Sequence, residues 1–84
     1  MSDKLDATVE FTSNRDGASA TIQAVYDALS EKGYVASNQI VGYLISGDPS
    51  YITSYKDARN IIQNMERDEL MDVFVSYYLE HVCK

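Results

Sequence analysis

The stretch from Asp68 to Val82 constrains this chain more than any other, because its apolar residues fall on two faces of one helix. Leu70, Val73, Phe74 and Tyr77 make one stripe, and Met71, Val75, Tyr78, Leu79 and Val82 make a second. A surface helix of a small monomer needs only one buried face. Either this helix is the central core element, or one stripe faces a second subunit. Size bears on that choice. A chain of 84 residues is a single domain, and one this short buries only roughly 60–65% of its unfolded surface. Such domains usually need disulfides, a metal or a second copy. The single cysteine, Cys83, excludes an internal disulfide and fits a reducing compartment. His81-x-Cys83 offers two ligands where a structural zinc site takes four, so neither metal nor other cofactor is expected. Self-association remains. The expectation is a homodimer with Met71, Val75, Tyr78 and Leu79 as candidate interface, although the pattern alone leaves open which stripe is shared.

The rest of the chain reads as an N-terminal tail and further helices. Residues 1–17 hold Asp3, Asp6, Glu10 and Asp16 with few apolar side chains, a composition that does not repay the entropy of ordering. This segment reads as a flexible acidic tail, with Val9 and Phe11 able to form a short extended stretch. Residues 18–84 read as one helical domain. Ile22, Val25, Tyr26 and Leu29 share a face of a helix over about Ser19–Lys32, with Ser19 as cap and Gly33 just past the end. Asn38 is a good cap for a second helix to about Ser46. Its Ile40, Val41, Tyr43, Leu44 and Ile45 are apolar almost all round, which predicts a central position. Gly47 ends it, and Asp48-Pro49 starts a single turn over Pro49–Ile52. Ser54-x-x-Asp57 resembles a capping box opening a helix over about Tyr55–Met65, with Ala58, Ile61, Ile62 and Met65 inward. Glu66-Arg67-Asp68-Glu69 restarts the chain into the last helix, about Asp68–Val82. The fold class is therefore all-α, a compact bundle of about five short helices.

Charge excludes several functions. The net charge is −6, with 7 Lys and Arg scattered among 13 Asp and Glu. Nucleic-acid binders present a basic patch to phosphates, and anionic membrane surfaces ask for the same. No apolar run approaches the ~18–20 residues needed to span a bilayer. No basic segment followed by an apolar stretch marks a signal peptide, so a cytoplasmic setting is expected. The first two helices and the Gly33 turn loosely resemble a helix-turn-helix, which makes a small helical DNA-binding transcriptional regulator the alternative reading. Its second helix, however, offers base edges only Asn38 and Gln39 before turning apolar. Catalysis finds little support. His81 is the only imidazole and sits in a last turn, and Asp48, Asp57 and Asp68 each have a capping or first-turn role. The chain reads as a protein that binds other proteins and not as an enzyme. Its 7 tyrosines, with no Trp, suit core packing and protein interfaces alike.

Several blocks at fixed spacing carry a resemblance: Glu31-Lys32-Gly33-Tyr34, Asn38-Gln39-Ile40-Val41-Gly42-Tyr43-Leu44, Ser46-Gly47-Asp48-Pro49, Tyr51-Ile52, Lys56-Asp57-Ala58-Arg59 and Glu66-Arg67-Asp68-Glu69. From about residue 24 to 80 the chain resembles the IreB/ReoM family of Gram-positive bacteria. The resemblance implies a small helical dimer that is a substrate of the Ser/Thr kinase with PASTA repeats. It implies control of peptidoglycan synthesis and cephalosporin resistance, in some members through how the Clp protease degrades MurA. The family's phosphoacceptor is a Thr in an Asp-x-Thr stretch with an aromatic soon after. Asp6-Ala7-Thr8, followed by Phe11, matches, so Thr8 is the implied phosphorylation site. A phosphate or partner would find basic groups at Lys56, Arg59 and Arg67, with Arg15 near the tail. The chain departs from the family pattern at Val35-Ala36, at Thr53-Ser54-Tyr55, and at Gln63 and Asn64, so a surface that is basic in relatives is weaker here.

Overall fold

The structure, a computed structural model, describes Val9 and residues 17–83. Among the described residues there are helices and turns and no strand. Helix α1 spans Ala18–Glu31 and α2 spans Ala36–Ser46. Two single 3-10 turns follow, Pro49–Tyr51 and Tyr55–Asp57. Helix α3 spans Ala58–Gln63 and α4 spans Arg67–His81. The five expected helices thus become four α-helices and two 3-10 turns.

Local chemistry explains most of the boundaries. Gly33 takes a left-handed conformation at φ +85. Around it Tyr34 N–H donates to the Leu29 carbonyl at 2.9 Å and Gly33 N–H to that of Ser30 at 3.0 Å. That pair is the Schellman closure, which satisfies carbonyls orphaned at a helix end. Gly47 closes α2 in the same backbone region. Arg67 adds a bond from its Nη1 to the Leu44 carbonyl at 3.0 Å. Asp48 caps the next turn, its carboxylate accepting from Ser50 N–H at 2.9 Å. Glu66 N–H donates to Glu69 Oε1 at 3.3 Å, and Asp68 and Glu69 lie in the first turn of α4, where the dipole favours acid.

Three boundaries differ from the pattern-based expectation. Ser19 does not cap α1. Gly17 does, at φ +82, and the tight turn it permits places Ala18 wholly in the core. Asn38 does not cap α2, which starts at Ala36. The Asn38 N–H already belongs to the helical ladder, donating to the Val35 carbonyl, because buried Ala36 has to be drawn inside. The Ser54-x-x-Asp57 box does not form, and the Ser54 side chain makes no capping bond. Lys56 and Asp57 instead adopt left-handed conformations at φ 53 and φ 64, splitting the expected Tyr55–Met65 helix. Each such L-residue costs about 1–2 kcal/mol. The chain accepts this because it must turn sharply between Ile52 and Ala58, both fully buried.

Helix α1 is the hub, with α2, α3 and α4 all packing against it. Val25, Ala28 and Leu29 from α1 meet Ile40 and Tyr43 from α2, Ile52, Ala58 and Ile62, and Leu70 from α4. Ile22, Leu44, Ile61, Met65 and Phe74 pack at the edge of this cluster. Gly42 lets the Tyr51 ring lie flat on α2. A Cβ at that position would come within 2.6 Å of two ring carbons. Gly42→Ala should therefore destabilise the fold by about 1–3 kcal/mol through overpacking, a shift that urea denaturation would resolve.

Candidate functional site

The conspicuous feature of the surface is the set of large apolar side chains that stand exposed among the described residues. The α4 stripe of Met71, Val75, Tyr78, Leu79 and Val82 is 42–58% exposed throughout. Tyr77, expected on the inward stripe beside Leu70, is 63% exposed, so that stripe reaches the core only as far as Phe74. From Val75 to Cys83 every residue except Ser76 is exposed. The last two turns of α4 are therefore largely exposed, with Tyr77 beside Ser19 and Ile22 at the start of α1.

A groove continues this surface. Helices α2 and α4 scarcely meet, and each leans on α1 instead. Between them lies an open apolar cleft of about 560 Å³, walled by Ile22, Tyr26, Val35, Ile40 and Phe74 among others. Adjoining hollows extend it toward Val73 and Tyr77 at one end and Val41 and Leu44 at the other. Phe74 lines all three. Beside them Ile45 is 79% exposed and Val41 and Tyr26 about half exposed. The central position expected for the second helix is thus only half realised, since Ile40 and Tyr43 face the core while Val41 and Ile45 face outward. Scattered exposed hydrophobes need no explanation, but a contiguous groove and stripe mark an interaction surface.

The candidate basic residues come out separately. Lys56 Nζ pairs with Glu31 Oε2 at 3.0 Å. Arg59 Nε donates to the Ile52 carbonyl at 2.8 Å, and Arg67 is bonded to Leu44. All three are engaged within the chain, at positions that do not line the groove. Thr8, Phe11 and Arg15 lie outside the described residues. His81 stacks on Tyr77 with ring centroids 4.2 Å apart, and Cys83 is exposed. No group of three or more His, Cys, Asp or Glu is placed to hold a metal among the described residues. No helix there is long and apolar enough to cross a membrane.

Sequence reasoning did not anticipate a polar clasp at the end of α1. Glu31 accepts from Tyr55 Oη at 3.0 Å as well as from Lys56. Lys32 and Lys56 sit over the Tyr55 ring at 5.0 and 5.5 Å. The partners are 24 and 25 residues apart, so no local motif announces them. The bond from Lys56, then that from Tyr55, holds the Glu31 carboxyl below its ordinary value of 4.5, and Glu31 in turn raises Lys56 above 10.5. A depressed carboxyl contributes stability above its unfolded value and loses it as pH falls through the folded one. A raised amine contributes below its unfolded value and loses it as pH rises through the folded one. The clasp should stay closed from mildly acid to mildly alkaline solution and open as pH falls through the depressed Glu31 value, which the Glu31 carboxyl carbon resonance in NMR would follow.

The arrangement is suited to holding another protein surface, with an apolar groove and stripe on a rigid helical body. Comparison with known families agrees in kind. A family model described as IreB regulatory phosphoprotein matches residues 6–80, which includes the tail segment around Thr8 and nearly all of α4. This chain belongs to the IreB family of regulatory phosphoproteins.

Proposed function

We propose that this chain is a non-enzymatic regulatory adaptor that works in the cytoplasm as a homodimer. The observation that carries the reading is the uncovered apolar groove and α4 stripe on a member of a regulatory phosphoprotein family. An exposed helix end of about two turns is marginal in water without a partner. A second copy of the chain supplies one, its stripe covering the groove and the reverse, as two-fold symmetry requires.

In this reading a Ser/Thr kinase with PASTA repeats phosphorylates Thr8. The adaptor controls peptidoglycan synthesis and cephalosporin resistance, through Clp-dependent turnover of MurA. The family resemblance supports these assignments. The acidic charge supports protein partners over nucleic acid, since the described cations are spread out and Lys56, Arg59 and Arg67 are bonded within the chain. Replacement of the chromosomal copy by Thr8→Ala tests the reading. Cephalosporin survival and MurA abundance should cease to respond to the kinase, while the chain accumulates normally. An unchanged response in both readouts would refute it.

A further inference from the structure

The connector between Ile52 and Ala58 combines two features that stand apart from the apolar face. Its apex carries consecutive left-handed residues, Lys56 and Asp57, in a segment where neither is glycine. Left-handed L-residues persist only where the surroundings over-determine them, and they collect at clamps and switches. The surroundings here are specific. At the apex, Glu31 reaches from the end of α1 to bind Tyr55 Oη and Lys56 Nζ, both at 3.0 Å. At the base, Arg59 Nε ties α3 to the Ile52 carbonyl at 2.8 Å in a part-buried position. The base joins the two buried ends of the connector, while the apex is open to water. None of Glu31, Tyr55, Lys56 and Arg59 lines the groove.

We propose that the 53–57 connector is a clasped hinge, with Glu31 as the latch and the Arg59–Ile52 bond as the fixed base. With the latch closed, Lys56 and Asp57 are held in the left-handed region. With it open, both relax toward ordinary backbone conformations and swing Tyr55 away from α1, which releases the ammonium groups of Lys32 and Lys56 from their present partners. Because the base survives, opening stays within residues 53–57 and leaves α3 on the core. The latch is electrostatic and solvent-exposed, so salt weakens it. Asp27 adds a further negative charge that favours Lys56 in its present place.

Amide hydrogen exchange on the full chain tests this. The reporters are the N–H groups of Asp57 and Ala58, which donate to the carbonyls of Ser54 and Tyr55 across the hinge. Glu31→Gln should speed exchange at both by about fivefold, the range open to an exposed ion pair. Tyr55→Phe, which keeps the ring and the Lys56 pair, should give a smaller rise at the same amides. Exchange there in the parent should also quicken between about 0.05 and about 0.5 M salt, and Glu31→Gln should lose that dependence. Amides of Ile62 and Leu70 should not change in any of these. Unaltered protection of Asp57 and Ala58 in Glu31→Gln would overturn the proposal. So would an equal rise at Ile62 and Leu70, since that would mark loss of the whole fold and no hinge.

Discussion

Tyr78→Asp should convert a dimer into a monomer without unfolding it. Tyr78 is 58% exposed in the isolated chain and touches no part of the core cluster, so the substitution leaves the subunit's own packing alone. In the proposed dimer the same side chain is buried against the second copy. An aspartate there is a desolvated charge without a partner, and aromatic hot spots of this kind carry about 2–4 kcal/mol. The dissociation constant should therefore rise by roughly 30-fold to 1,000-fold. Sedimentation at micromolar concentration should show twice the chain mass for the parent and the chain mass for Tyr78→Asp, with equal helical circular dichroism. Phe74→Asp should behave differently. Phe74 packs on the core cluster and walls every part of the groove, so a charge there should remove both the dimer and much of the fold. A parent that sediments as a clean monomer across this range would end the proposal that a second copy covers the stripe.

The two variants also separate what periodicity can and cannot say. The 3.6-residue pattern correctly grouped Leu70 with Phe74, and Val25 with Leu29, because each pair shares a face of one helix. It placed Tyr77 and Tyr26 on those same faces, yet both are exposed. A face is a property of the helix, whereas burial depends on what lies opposite, and Tyr77 stays exposed beside a hollow that it shares with Ser19 and Ile22 at the start of α1. The same holds for Val41 and Ile45, whose apolar character suggested a central helix although both stand exposed. Turn chemistry was readable wherever it is local. Gly33, Gly47 and Asp48-Pro49 sit where backbone sterics and a short side-chain bond decide the outcome. The Lys56–Asp57 bend was not readable, because Lys56 pairs with Glu31, a residue 25 positions earlier, which no local pattern announces. A run such as Ser54-Tyr55-Lys56-Asp57 resembles a capping box until the tertiary contact is known.

Phosphorylation of Thr8 should change what the protein binds while leaving its helical body unchanged. Thr8 stands between Asp6 and Glu10 on a chain already at −6, and a phosphate adds about −1.5 to −2 more. Ordering such a tail against the body would require a basic group to receive it, with Arg the most effective receiver. Three of the four described cations are bonded elsewhere in the chain, and the fourth, Lys32, sits over the Tyr55 ring. Lys56 is latched to Glu31, and Arg67 closes the end of α2 through the Leu44 carbonyl. Arg59 serves the Ile52 carbonyl, and after the Ser50 hydrogen bonds its charge also helps to hold the Asp48 carboxyl below its ordinary value. Withdrawing Arg59 to hold a phosphate would leave the carbonyl of a fully buried residue short of a partner. Ser54, Gln63 and Asn64, close to these residues in the sequence, offer no charge. Self-repulsion should therefore keep the phosphorylated tail off the body, leaving it to act by admitting or blocking a partner. In NMR spectra, phosphate on Thr8 should move resonances of residues 1–17 only, and a partner taken from the native cell should differ at least tenfold in retention between the two forms. Thr8→Ala should be retained like the unphosphorylated chain whether or not the kinase is present. Widespread shifts in α3, together with loss of those shifts in Arg59→Ala, would show instead that the tail docks on the basic start of that helix.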